Sequence, residues 1–226
     1  MEKFARFIKL IGEDKFKILQ NKTVLIVGLG GVGGYALEGI VRSGIKNIKI
    51  VDYDKVEITN INRQIIALEN NIGKNKVDVC KERALGINPN LNVGTICDKL
   101  ISDNYQVILQ NVDYVIDACD DINAKKLIIT YCLKNKIKFI SCMGTGNKFH
   151  PELLTITDLR KTTYDKLAKK LRNWAVKSKI KGKIMVVSSC EQCQKTDNII
   201  GSTSYVPSVA GMLCASYVIN DILKEK

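Results

Sequence analysis

Thr23-Val24-Leu25-Ile26-Val27, followed directly by Gly28-Leu29-Gly30-Gly31-Val32-Gly33, is the stretch that decides the fold. The first five residues are a β-branched apolar run that reads as a buried strand. Tyr35-Ala36-Leu37-Glu38-Gly39-Ile40-Val41, beyond the glycines, has helical spacing. Strand, glycine turn and helix in this order make an anion site. Glycine allows the tight turn and lets the backbone approach a phosphate, while the helix dipole and open N–H groups attract it. A second strand, Ile48-Lys49-Ile50-Val51, ends in Asp52. That acid lies roughly twenty residues past the glycines, where a ribose hydroxyl needs an acceptor. Together these features specify a nucleotide and leave open whether it is a mononucleotide or a dinucleotide.

Working outward, strands near 92–96, 113–117 and 138–142 alternate with helices over 75–87, near 102–110 and over 123–135. Such alternation predicts an α/β chain with a Rossmann-like, doubly wound, mostly parallel sheet. The ligand then belongs beyond the strand C-termini, at the loops holding Gly28–Gly33, Asp52–Gln64, Asp117–Asp121 and Cys142–Asn147. Residues 4–20 read as one or two short helices. After residue 153 the pattern changes: strands at 153–157 and 184–188, expected to extend the sheet in antiparallel fashion, flank a basic helix over 162–179. A polar loop over 189–204 leads to a closing helix over 207–223. The expected organisation is one unit over 1–226, with an N-terminal helical arm (1–22), a nucleotide-binding core (23–150) and a C-terminal extension (151–226).

Composition narrows the partners. With 46% hydrophobic residues and only three prolines in 226 residues, the sequence reads as globular. Charges break up the N-terminal apolar runs, and no segment reaches the ~20 apolar residues of a membrane span. Six of the eight cysteines are scattered singly through a lysine-rich chain, and the set reads as reduced thiols of a cytoplasmic protein. A formal charge of +12 points to an anionic partner, above all nucleic acid; a lysine-favouring genome is the plainer account.

The loop after the second strand chooses the nucleotide. A dehydrogenase would need Asp52 and then a group to handle hydride chemistry, yet the one histidine, His150, sits in Phe149-His150-Pro151 and reads as structural. Instead the chain offers Asp54, then Asn60, Asn62, Arg63 and Gln64, then Gly73-Lys74-Asn75-Lys76, then Asp117-Ala118-Cys119-Asp120-Asp121. One arginine and one lysine beside a glycine loop can clamp a triphosphate, and an aspartate past the fourth strand can hold Mg²⁺. ATP fits this set better than NAD.

Gly28 to Gly33, Asp52-x-Asp54, Asn60-x-Asn62-Arg63-Gln64, Gly73-x-x-Lys76, Asn88-Pro89 and Asp117-x-x-Asp120 together resemble the ubiquitin-activating-type adenylyltransferases, the ThiF-type superfamily that includes the sulfur-carrier activating enzymes. Within it, Ser141 to Lys148, Thr157-Asp158-Leu159 with Lys161-Thr162, and Gly201 to Gly211 are similar to the tRNA threonylcarbamoyladenosine dehydratases. That resemblance implies an enzyme that adenylylates the carboxylate of threonylcarbamoyladenosine in the tRNA anticodon loop and lets it cyclise, releasing AMP and pyrophosphate. It implies that Gly28, Gly30, Gly31 and Gly33 approach the phosphates and that Asp52 binds the ribose. Asn60, Arg63, Gln64 and Lys76 would hold the polyphosphate, Asp120 would bind Mg²⁺, and Asp117 would support the strand end. Arg6, with Lys9 as a rival, falls where the family supplies an arginine from the neighbouring subunit of a homodimer. Whether Na⁺ or K⁺ accompanies ATP, and whether a sulfur-transfer protein of the cysteine desulfurase system assists, stay open.

Two features separate this reading from its alternatives. Cys190-Glu191-Gln192-Cys193 is a lone C-x-x-C. The carrier-activating relatives use two such pairs for zinc, which wants four ligands, so a structural zinc is not expected. Those relatives also often carry a catalytic cysteine near the position of Tyr164-Asp165-Lys166, where this chain has none. An adenylyltransferase for a ubiquitin-like sulfur carrier is therefore the second reading, and an NAD-dependent oxidoreductase the third. The lysines at 161, 166, 169, 170, 177, 179, 181 and 183, with Arg172, read as a tRNA phosphate surface.

Overall fold

The computed structural model describes residues 2–193 and 200–225. Residues 194–199 of the expected polar loop lie outside the described residues. Seven strands form one sheet in the order β3-β2-β1-β4-β5-β7-β6. In chain order the strands are β1 (Thr23–Val27), β2 (Asn47–Val51), β3 (Asn92–Ile96), β4 (Tyr114–Asp117), β5 (Lys138–Cys142), β6 (Leu154–Asp158) and β7 (Met185–Ser189). The helices are α1 (Ala5–Ile11), α2 (Glu13–Asn21), α3 (Gly33–Arg42), α4 (Lys76–Ile87), α5 (Tyr105–Leu109), α6 (Ile122–Asn135), α7 (Lys166–Lys177) and α8 (Tyr205–Ile222).

Strands β1 and β4 lie at the centre with both faces covered, so Val24, Leu25, Ile26, Val115 and Ile116 are fully buried. One apolar cluster joins α3, α4 and α8 to one face, and a second joins α5, α6 and α7 to the other. The C-terminal third extends the sheet as expected, with a detail that alternation alone does not specify. β7 joins β5 in parallel through Ser141–Val186 and Cys142–Val187, and only the outer pair β6–β7 is antiparallel.

The basic helix starts four residues later than the spacing predicts. Tyr164 has φ +52°, and Asp165, extended and 5% exposed, caps the helix by accepting from Ala168 N at 2.6 Å. Its buried face is Ala168, Leu171 and Ala175, while Leu167 and Trp174 are half-buried. Among the described residues, no helix is long and apolar enough to cross a membrane.

Candidate active site

Strand β1 delivers the chain to Gly28, whose φ of +86° and close backbone neighbours demand glycine: a Cβ there would sit 2.8 Å from Cys119 N. Gly33 is tighter still, because its Cβ would lie 1.7 Å from Gly28 O. At Gly30 and Gly31 the constraint is milder, with first neighbours at 3.7 Å (Gln64) and 3.2 Å (Pro207). Among the described residues, the N–H groups of Gly30, Gly31, Val32 and Gly33 donate to no backbone carbonyl. They stand at the positive end of α3, an arrangement that receives an anion.

Asp52 is locked to this turn. It is 8% exposed, and its two carboxylate oxygens accept from Leu29 N at 2.6 Å and Asp54 N at 2.8 Å. The segment after β2 is pinned to the start of α4 by Val56 N donating to Lys74 O (2.8 Å) and Lys76 N donating to Asp54 O (3.0 Å). That pinning brings Lys76 Nζ to 2.8 Å from Asp54 Oδ2. Lys76 is 5% exposed at a helix N-terminus, where the dipole disfavours a cation. Asp54 offsets this, and an anion in the adjoining space would do so further.

Between these segments, Glu57 and Asn60 form a reciprocal cap that fixes the loop. Arg63 Nη1 donates to Thr59 O at 2.9 Å and Asn62 Oδ1 at 3.0 Å, and Asn62 Nδ2 reaches Ser202 O at 3.0 Å. Gln64 is 6% exposed, yet among the described residues its side-chain oxygen finds no hydrogen-bond partner. An orphaned polar atom on a side chain that lines the cavity beside the glycine turn marks a place for a ligand donor.

These segments meet in one cavity of about 360 Å³, which Gly28, Gly30, Gly31, Asp52, Asp54, Asn60, Arg63, Gln64, Lys76 and Asp120 line, whereas Asn62 is not on its wall. The volume is in the range of small-molecule sites. Asp120 is exposed within it, and its carboxylate accepts no hydrogen bond among the described residues. Asp121 instead caps α6 and pairs with Lys99 at 2.9 Å. The Lys99 ammonium holds the Asp121 carboxyl below its ordinary range. Cys119 also faces the cavity, but burial and the neighbouring Asp117 push its thiol well above the usual value, so it is a poor nucleophile.

Gly33 and two further expected site residues lie off the cavity wall. Asp117 is fully buried and does not reach the ligand space: Lys125 Nζ donates to both its oxygens at 3.0 Å, and Ser141 Oγ donates at 2.5 Å. Lys125, 0% exposed, also donates to Cys142 O at 2.8 Å and so ties β4 to β5 beneath the cavity. Burial alone would lower the Lys125 ammonium, but Asp117 outweighs it and raises it above its ordinary value. Spacing gave no sign of Lys125, which reads as one more surface lysine of α6. Arg6 lies exposed on α1, away from the cavity of its own chain.

The C-x-x-C segment is held by protein groups. Glu191, 6% exposed, accepts from Phe149 N at 2.9 Å and His150 N at 3.0 Å, and buried Lys148 donates to Glu191 O at 2.7 Å. Cys193 Sγ faces Gly146 O and Tyr164 O, and Cys190 Sγ faces Leu153 O.

Residues 4–226 match the ThiF family. The chain belongs to the ThiF family. Within this family it is similar to the tRNA threonylcarbamoyladenosine dehydratase of Bacillus subtilis, 36% identical with 100% of this chain and 96% of that protein covered. The Escherichia coli enzyme of the same name is 36% identical over 95% of this chain and 79% of its own length. The crystal structure of the E. coli dehydratase in complex with ATP superposes with a TM-score of 0.92 at 35% identity, covering 98% of this chain and 94% of the other. The sheet and the helices that flank it are thus those of a ThiF-type fold.

Proposed function

We infer that this chain is an ATP-dependent tRNA threonylcarbamoyladenosine dehydratase, acting as a single ThiF-type unit in the cytoplasm. The observation that carries the reading is the convergence of Gly30, Gly31, Asp52, Asn60, Arg63, Gln64, Lys76 and Asp120 on one cavity, in a chain whose full-length relatives bear that name.

ATP lies with its ribose on Asp52 and its phosphates over the open N–H groups of the glycine turn, while Arg63 and Lys76 meet the charge that builds on the phosphates. Asn60 and the Gln64 amide complete the cradle. Asp120 fits Mg²⁺ by the chemistry of its donor: one free carboxylate beside the phosphate site is the ligand set this ion favours, the remainder coming from phosphate and water. When bound, the ion neutralises phosphate charge. Asp117 serves beneath the site, where its pair with Lys125 fixes the strand end from which Asp120 projects.

The substrate carboxylate attacks the α-phosphorus and displaces pyrophosphate. The ureido nitrogen then attacks the activated acyl carbon and loses its proton, the ring closes, and AMP departs. The net change is loss of one water from the modified nucleoside. Because nucleophile and acyl group belong to one molecule, the chain has to supply orientation and no nucleophile of its own. A homodimer, with Arg6 reaching the neighbouring cavity, completes the proposal.

Mass spectrometry of nucleosides after incubation with ATP, Mg²⁺ and threonylcarbamoylated tRNA tests this. The modified nucleoside should lose one water, and Arg63→Ala should lower the rate by about 10²-fold or more. Pyrophosphate exchange that requires a carrier protein ending in Gly-Gly, with tRNA left unchanged, would instead establish the sulfur-carrier reading.

A further inference from the structure

A second cavity, of about 550 Å³, opens between the β3–α5 loop, α6 and α7. It shares Lys99, Leu100 and Asp121 with the nucleotide cavity, so the Lys99–Asp121 ion pair forms the partition between the two. The mechanism above leaves this space unused.

Its walls combine two aromatic rings with ammonium and amide groups. Trp174 of α7 is half-buried there, and Tyr105 of α5 is braced edge-on against Tyr131 at 5.8 Å. Lys126 and Asn123 of α6 lie on the same wall. Flat rings held rigid beside flexible cations suit a nucleobase with its phosphodiester, since any base has a π face to stack and any backbone carries the charge. The one acid of the lining, Asp121, is neutralised by Lys99. Outside the cavity, Lys170 and Lys177 stand four residues before and three after Trp174, on the same flank of α7, and both are exposed. A strand leaving the aromatic pair would therefore meet further cations.

We propose that this groove holds an unstacked anticodon-loop nucleotide next to the modified adenosine. Its base lies on Trp174 and Tyr105, and its phosphates lie on Lys126 and Lys170. The inference rests on the tRNA reading above and adds where the loop is gripped. Two features favour RNA over a protein partner: the continuity with the ATP cavity and the density of lysines around a wall with no unpaired acid.

Trp174 is the only tryptophan in the chain, so its emission reports on this groove directly. The protein is titrated with an anticodon stem–loop RNA carrying threonylcarbamoyladenosine, with the same stem as a loopless duplex, and with ATP and Mg²⁺ alone. The stem–loop is expected to quench Trp174 saturably, and the other two are expected to leave it unmoved. Lys126→Ala should raise KM for tRNA roughly five- to tenfold, without a matching rise in KM for ATP. If the RNA is cyclised normally while Trp174 emission stays constant, or if ATP alone quenches it, or if Lys126→Ala leaves KM for tRNA unchanged, the groove is not the RNA site. A wild-type protein that never cyclises the RNA would overturn the functional reading itself, which is a different result.

Discussion

Gly30 and Gly33 stand three residues apart and answer to different constraints. Gly33 is required by the protein itself, because any Cβ would strike Gly28 O. Gly30 has room within the protein and faces the cavity. Gly33→Ala is expected to cost about 3 kcal/mol or more of stability by overpacking against backbone. Gly30→Ala should fold within about 0.5 kcal/mol of the parent, as surface changes do, and still bind ATP more weakly. Thermal denaturation beside ATP titration of both variants checks this. Lys125 is the residue whose importance was hidden. A lysine every few positions is ordinary in so basic a sequence, and only the three-dimensional closeness of β4 and β5 reveals that this one is sealed against Asp117. Lys125→Met would leave a buried carboxylate unpaired, at a cost of about 3–5 kcal/mol in urea unfolding. Adding Asp117→Asn should recover most of that loss.

At the scale of elements, α8 is the support for the glycine turn. Gly211 lies against α3 so closely that a Cβ would be 2.3 Å from Val32 O, and Gly39 of α3 meets Ala215 in the same way. From the sequence, the small residues of this helix read as suited to close packing, with a second subunit as the candidate partner; Gly211 and Ala215 instead pack on α3 of the same chain. The same holds for β7: its apolar run is plain, whereas its parallel place beside β5 depends on the path of β6 and α7. The far end of α8 is clamped by Asp221, which accepts from Tyr114 Oη at 2.8 Å and pairs with Lys138 at 2.7 Å. Burial tends to raise the Asp221 carboxyl, but Lys138 and Tyr114 outweigh it and hold it below its ordinary value. A lowered carboxyl stabilises the fold above its unfolded-state value, near pH 4, and the benefit fades as pH falls through the folded value. Asp221→Asn should therefore flatten the acid limb of the stability curve below about pH 4 and lower stability at neutral pH.

On the scale of the whole molecule, the sheet and the phosphate turn were readable because their signals are local: a β-branched run, glycines at fixed offsets, an acid at the next strand end. Partnerships between distant segments were not, as with Glu191 holding Phe149 and His150, or Asn62 reaching Ser202. The nucleotide cavity shows the same distribution, since its wall draws on the ends of β1, β2, β3 and β4 and on the start of α8. No single segment supplies the whole wall, so under the proposed function ATP would recognise only the completed fold. Nucleotide would then act as a non-covalent staple across the polypeptide. At a hundredfold excess over its dissociation constant it should add about 2.7 kcal/mol to the unfolding free energy, visible as a raised Tm. A nascent or heat-loosened chain would gain protection from cellular ATP only once its last helix had docked.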